Sequence, residues 1–216
     1  MTGPDRLGWI LVGASYLLGS IPFGLLLARA FAGVDVRDAG SGNIGATNVA
    51  RTAGRSLGIL TLLLDAGKGS LAVAGTAIVL GTPNDGAWAA TAGLFAFLGH
   101  VFPVWLLFRG GKGVATAFGV LLVLSPWLSL GAALVFAGVF ARTRTVSLAS
   151  MAAAVAAAGV AGALHGWEWP VTRVAAVIGI VVLARHQSNV RRLLRGEESL
   201  FSARRSGSRS SRPPGG

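Results

Sequence analysis

Apolar positions in this chain fall in long runs, at roughly 7–31, 57–80, 87–108, 114–125, 127–141, 147–164 and 170–185. About 20 apolar residues in a helix cross a hydrocarbon layer of about 30 Å, and most of these runs reach or approach that length. The fourth and fifth are short and meet at Ser125-Pro126, where proline ends one helix and opens the next. A single kinked span is the alternative, leaving six helices in place of seven. Residues 1–30 do not read as a signal peptide, because the start is weakly basic and the apolar stretch runs too far. They read as the first membrane helix.

Charge decides between six and seven. With seven helices and an outside N-terminus, segments 32–56, 109–113, 142–146 and 186–216 share the cytoplasmic side. They hold Arg37, Arg51, Arg55, Arg109, Lys112, Arg142, Arg144 and seven arginines after His186. The opposite loops, 81–86, Ser125-Pro126 and 165–169, hold no lysine or arginine. Six helices would put the first or the last basic cluster on the wrong face, against the positive-inside rule. The expectation is an all-α polytopic membrane protein with seven transmembrane helices, N-terminus outside and C-terminus cytoplasmic. Residues 1–201 form one transmembrane domain, and 202–216 a basic, disordered tail that can rest on anionic headgroups.

Composition agrees. The chain is 53% hydrophobic and 12% charged, where a soluble domain carries about 25% charged residues. A formal charge of +11 would normally raise nucleic-acid binding, but in a membrane chain it is mainly a topology signal. Cysteine is absent, which removes disulfides and a thiol nucleophile.

Four polar segments interrupt the apolar pattern. The first, Gly40-Ser41-Gly42-Asn43-Ile44-Gly45-Ala46-Thr47-Asn48-Val49-Ala50-Arg51, has glycines spaced for a backbone nest that holds an anion. A helix starting near Ile44 puts Thr47, Asn48 and Arg51 on one face; a flexible loop with a capped helix fits equally well. The second, Arg109-Gly110-Gly111-Lys112-Gly113-Val114-Ala115-Thr116, repeats glycine, cation and helix start, without the spacing or the strand of a P-loop. A short turn with topology-setting charge is its bland reading. Just upstream, His100 lies within a span, a functional candidate or a hydrogen-bonded structural residue.

The third, Leu64-Asp65-Ala66-Gly67-Lys68-Gly69, places Asp65 and Lys68 three apart on one helix face, where they can neutralise one another. A structural ion pair is favoured slightly over a ligand site. The fourth, Arg185-His186-Gln187-Ser188-Asn189 running to Glu198, sets His186 and Asn189 one turn apart at the end of the last span. Alone it reads as a basic, snorkelling helix end. Lys68 and Lys112 are the only lysines, and each sits between glycines. Most of this polarity falls on one side of the bilayer, which suits an enzyme joining a soluble substrate to a lipid one better than a transporter with a midplane site.

Taken together, Ser41–Arg51, Leu64–Gly69, Gly99–Pro103 with Gly110–Thr116, and Arg185–Glu198 resemble the bacterial acyl-phosphate:glycerol-3-phosphate acyltransferases, the PlsY-type integral membrane family. The resemblance runs from about 19 to 201 and leaves out the Ser/Arg-rich tail. It implies a seven-helix fold and acyl transfer from acyl phosphate to glycerol 3-phosphate, giving lysophosphatidic acid and phosphate in phospholipid synthesis. It implies Ser41, Arg51, Lys112, His186 and Asn189 as catalytic residues. Gly42, Asn43, Thr47, Asn48, Gly110, Gly111, Gly113 and Thr116 would line the substrates, with Ser147 or Ser150 adding a hydroxyl. Asp65, Lys68, His100 and Glu198 would be structural or near the site. No cofactor, metal or nucleic acid is expected. The partners are the two substrates and the bilayer, for a monomer in the bacterial cytoplasmic membrane whose site faces the cytoplasm. The other acyltransferase signature, histidine and aspartate five positions apart, is absent: Trp105 stands where the aspartate would.

Overall fold

A computed structural model describes residues 3–198 and 200; the tail from 202 lies outside the described residues. Each predicted apolar run is helical, and two are broken further. The helices are α1 (Gly3–Gly19), α2 (Phe23–Ala32), α3 (Ala46–Thr52), α4 (Arg55–Leu80), α5 (Ala87–Val101), α6 (Val114–Leu124), α7 (Pro126–Thr143), α8 (Val146–His165), α9 (Pro170–Arg185) and α10 (Gln187–Leu194). A 3₁₀ turn, Val104–Leu106, follows α5, because Pro103 cannot continue the helix.

By length and apolarity, five helical stretches among the described residues can cross a membrane: Asp5–Ala32, α4, Ala87–Leu106, α7 and α8. The α9–α10 pair, bent by 55°, makes a sixth if counted as one span. Helix α6 is apolar but has 11 residues, about 16 Å of rise, and falls among the shorter apolar helices. The protein is an all-α, multi-pass membrane protein.

The first run was expected to be one helix and is two. Pro22 offers no N–H to the ladder, and the chain turns sharply there, with the Phe23 N–H donating to the Ile21 carbonyl at 3.1 Å. Ser20 Oγ folds back onto the Leu17 carbonyl at 2.7 Å.

Large apolar side chains point outward, among them Ile10, Phe31, Leu63, Ile78 and Trp127, while the interior is rich in alanine. That inverts the soluble pattern. Lipid is as apolar as leucine, so helices associate through close contact of small residues. Helices α1 and α5 meet with Gly19 against the Ala96 carbonyl and Gly99 against the Tyr16 carbonyl; a Cβ at either would collide with backbone. Helices α4 and α6 do the same through Gly69 and Gly119, and Ser70 Oγ donates to the Gly119 carbonyl at 2.9 Å.

Candidate active site

At one end of the bundle the polar loops enclose a cavity of about 380 Å³. The first loop lines it with Ser41, Gly42 and Asn43, the second with Phe108, Arg109, Gly110 and Lys112, and the last helix pair with Arg185, Ser188 and Arg192. Segments far apart in sequence therefore share one wall.

The first loop is built around Asn48, which is 2% exposed. Its Oδ1 accepts from the Ser41 N–H at 2.8 Å. Its Nδ2 donates to the carbonyls of Val36 at 2.8 Å, Asn43 at 2.8 Å and Ala39 at 3.1 Å. Further N–H groups close inside the loop, Gly42 onto Ala39 O at 3.1 Å and Gly45 onto Asn43 Oδ1 at 2.8 Å. Thr47, half-buried at the start of α3, is outside the cavity wall. Outside the cavity, Asp35 ties α2 to the loop by accepting from Arg29 and from Arg37, at 2.7 Å for Arg37 Nη2. The hydrogen bond from Arg37 holds the Asp35 carboxyl well below the usual range.

In the second loop, too, glycine N–H groups are bonded within the protein. The Gly110 and Gly111 N–H groups donate to the Val101 and His100 carbonyls, each at 3.2 Å. Their own carbonyls accept from Arg185, at 2.8 Å for Gly110 and 3.3 Å for Gly111. Neither N–H is available to a phosphate. These glycines are needed for close packing, since a Cβ at 110 would strike main chain and one at 111 the His100 ring. Gly113 adds a left-handed turn, φ 80°, which glycine adopts freely, and then α6 begins. Thr116 is fully buried in the first turn of α6, and its hydroxyl has no partner among the described residues.

Lys112 donates to Asn189 Oδ1, and its other protons are free to face the cavity. Burial lowers its pKa to about 8 against the pull of Glu198, with Arg192, Arg51 and Arg185 adding repulsion. Arg51 thus acts on Lys112 without lining the cavity. Behind Asn189, Glu198 Oε1 accepts from Asn189 Nδ2 at 2.6 Å and Ser147 Oγ at 2.7 Å. Its Oε2 accepts from Arg192 Nε at 2.7 Å. Burial opposes the Glu198 charge, but hydrogen bonds from Ser147, Arg192 and Asn189 win and keep its carboxyl below its ordinary range. Ser147 is joined to the site; Ser150 is turned back onto the Val146 carbonyl at 2.8 Å.

His186 is 2% exposed, and its Nδ1 lies 2.7 Å from the Val182 carbonyl. A carbonyl can only accept, so Nδ1 carries the proton and Nε2 the lone pair. The expected Asp65–Lys68 pair is present at 2.8 Å, and His100 joins it, with Nδ1 2.9 Å from Lys68 Nζ. The residues that spacing alone did not single out are Arg185 and Arg192. Both lie in the fourth polar segment, and only the folded chain shows one holding carbonyls and the other a carboxylate.

The sequence matches the family described as glycerol-3-phosphate acyltransferase over residues 9–196. The chain belongs to this family. Relatives of that name include one from Anaeromyxobacter sp. (strain K), 45% identical over 90% of this chain and 98% of its own length. Another, from Geobacter sulfurreducens, is 50% identical over 90% and 97%. Among solved structures, the glycerol 3-phosphate form of PlsY, an integral membrane glycerol 3-phosphate acyltransferase, matches with a TM-score of 0.84 at 42% identity. That match covers 90% of this chain and 96% of the other. The lysophosphatidic acid form of PlsY matches with a TM-score of 0.81 at 41% identity, over 90% and 95%. Members of the family are acyltransferases, and this chain is one of them.

Proposed function

We propose that this glycerol-3-phosphate acyltransferase takes its acyl group from an acyl phosphate and releases lysophosphatidic acid and inorganic phosphate. The observation that carries the reading is the concentration of cations at the cavity. Lys112, Arg109, Arg185 and Arg192 line it together, enough positive charge for two phosphate-bearing substrates. Lys112 neutralises the departing phosphate as charge develops on it. Arg51, beside the cavity and close enough to repel Lys112, offers a phosphate at the cavity edge the forked geometry of a guanidinium. Ser41, His186 and Asn189 orient glycerol 3-phosphate, Asn189 also fixing the Lys112 ammonium. Gly42 and Asn43 form the cavity wall beside Ser41. Asn48 and Gly111 hold their loops in shape, while Thr47, Gly113 and Thr116 complete the helix starts on either side.

In the step itself, a glycerol hydroxyl attacks the acyl carbonyl carbon. The new ester C–O bond forms as the bond from that carbon to the phosphate oxygen breaks, and phosphate leaves with the electron pair. The hydroxyl proton passes to a substrate phosphate oxygen. His186 supports binding better than base catalysis, because its Nδ1–H rests on the Val182 main-chain carbonyl and not on a carboxylate.

We place seven crossings in the bilayer with the cavity on the cytoplasmic side. Parity supports seven. Gly113, before α6, and Ser147, after α7, both lie at the cavity end, through Lys112 and the Ser147–Glu198 hydrogen bond. This supports a chain that leaves along α6 and returns along α7. Five of the six tryptophans fall at the other end of the bundle, 9, 88 and 127 in the starts of α1, α5 and α7 and 167 and 169 in the loop between α8 and α9, as an interfacial belt does. The lack of cysteine makes the orientation testable: Asn84→Cys should react with an impermeant maleimide in intact cells, and Asp38→Cys should not. The reverse pattern would invert the placement.

The deciding experiment incubates purified protein with palmitoyl phosphate and labelled glycerol 3-phosphate. The expected outcome is labelled lysophosphatidic acid and one phosphate per product, with no product from acyl-CoA. Product from acyl-CoA alone would overturn the donor assignment.

A further inference from the structure

Three ionisable side chains lie inside the bundle and take no part in the chemistry above. Asp65, Lys68 and His100 are 1%, 3% and 4% exposed. Lys68 Nζ donates to the Ile21 carbonyl at 2.9 Å and reaches His100 Nδ1 at 2.9 Å. Its ion-pair partner, Asp65 Oδ1, lies 2.8 Å away. An ammonium can only donate. His100 Nδ1 lies closer to it than to Asp65, which is 3.4 Å away, so Nδ1 is the accepting nitrogen. The ring proton is then on Nε2.

That nitrogen faces the second glycine loop, where a Cβ on Gly111 would collide with it. The main chain repeats the contact, the His100 carbonyl accepting from Gly111 N–H at 3.2 Å. Asp65 and Lys68 already balance one another, so the histidine adds nothing to charge neutrality. It fills the distance between a fixed buried cation and the loop that carries Lys112. From the other side, Arg185 grips the Gly110 and Gly111 carbonyls, so the loop is held between guanidinium and imidazole.

We infer that Asp65, Lys68 and His100 are a positioning cluster that sets the height of the Gly110–Lys112 loop and thereby the affinity for the phosphate-bearing acyl donor. This rests on the reading that Lys112 binds that donor. The cluster touches no substrate; it acts through the loop.

The test is a double-mutant cycle read as separate KM values for the two substrates. His100→Ala removes the ring, and Gly111→Ala pushes the loop off it. Each should raise the KM for palmitoyl phosphate about tenfold, the scale of a small misplacement, with the KM for glycerol 3-phosphate within about twofold. In the double variant the new methyl occupies the space the ring vacates, so the donor KM should fall below that of either single variant. His100→Gln, which keeps an N–H at the Nε2 end, should restore most of the affinity. All three substitutions spare the Asp65–Lys68 pair, and Tm in detergent monitors folding. Independent effects that multiply in the double variant, or equal rises in both KM values, would overturn the inference. The underlying reading fails separately: Lys112→Ala would then raise the KM for glycerol 3-phosphate, and the 100–111 compensation would appear in that constant.

Discussion

The same tripeptide, Gly-Lys-Gly, occurs at 67–69 and 111–113, and the two lysines live in opposite circumstances. Lys68, 3% exposed, is surrounded by protein partners: the Ile21 carbonyl, His100 and the Asp65 carboxylate. Lys112 is half-buried, donates to Asn189 and keeps protons for the cavity. The flanking glycines differ too. Gly69 lets α6 press against α4, whereas Gly113 turns the chain with a positive φ. A cation binds a ligand through the donors its surroundings leave unused, and residue type does not reveal how many those are.

The largest expected effect is on the wet lysine. Lys112→Ala in folded protein should lower kcat/KM for acyl phosphate roughly a thousandfold, as when an electrostatic donor to a transition state is lost; phosphate release measures it, and near-normal turnover would remove Lys112 from the site. Its dry counterpart should fail differently. Lys68→Met leaves Asp65 buried without its cation, a loss of about 3–5 kcal/mol in stability, seen as a lower Tm that Lys112→Met does not share. Equal Tm losses would erase the distinction. Next comes Arg51→Lys, expected to cost about a hundredfold in turnover although charge is retained, because the fork is lost. Glu198→Gln should cost about tenfold by loosening the Asn189 link to Lys112, an indirect positioning effect; Ser147→Ala should cost less.

The smallest effect is in the pH profile. With a free-enzyme pKa of about 8, Lys112 is charged below that pH and neutral above it. Donor kcat/KM should therefore fall as pH rises through about 8, and bound phosphate should push the limb higher in kcat. Lys112→Arg should abolish this alkaline limb. A limb that survives belongs to another group.

Much of this was legible in the chain itself. The helix junction at Ser125-Pro126, the Asp65–Lys68 pair and the gathering of the first, second and fourth polar segments depend on local spacing or on parity, which sequence carries directly. The break at Pro22 was equally visible as a proline inside an apolar run, yet the run's hydrophobicity dominated the reading. The partnership of His100 with Lys68 was not legible, because it depends on how α4 and α5 pack. Nor was it legible that the first loop's N–H groups at Ser41, Gly42 and Gly45 are bonded within the loop. Glycine marks where backbone comes close to something, and at Gly110 and Gly111 that something is the end of α5 and the His100 ring, not a ligand.

The interrupted first helix has a consequence for biogenesis. The Ile21 carbonyl at the break is met by a lysine 47 residues later in the chain. At about 5–20 residues per second of synthesis, the first span waits several seconds in or beside the insertion machinery before α4 delivers its ammonium. During that interval the carbonyl has the Phe23 N–H, and its second lone pair is left to water, a lipid headgroup or an insertase. A photo-crosslinker at position 21 in stalled nascent chains should capture such neighbours until α4 emerges and lose them afterwards.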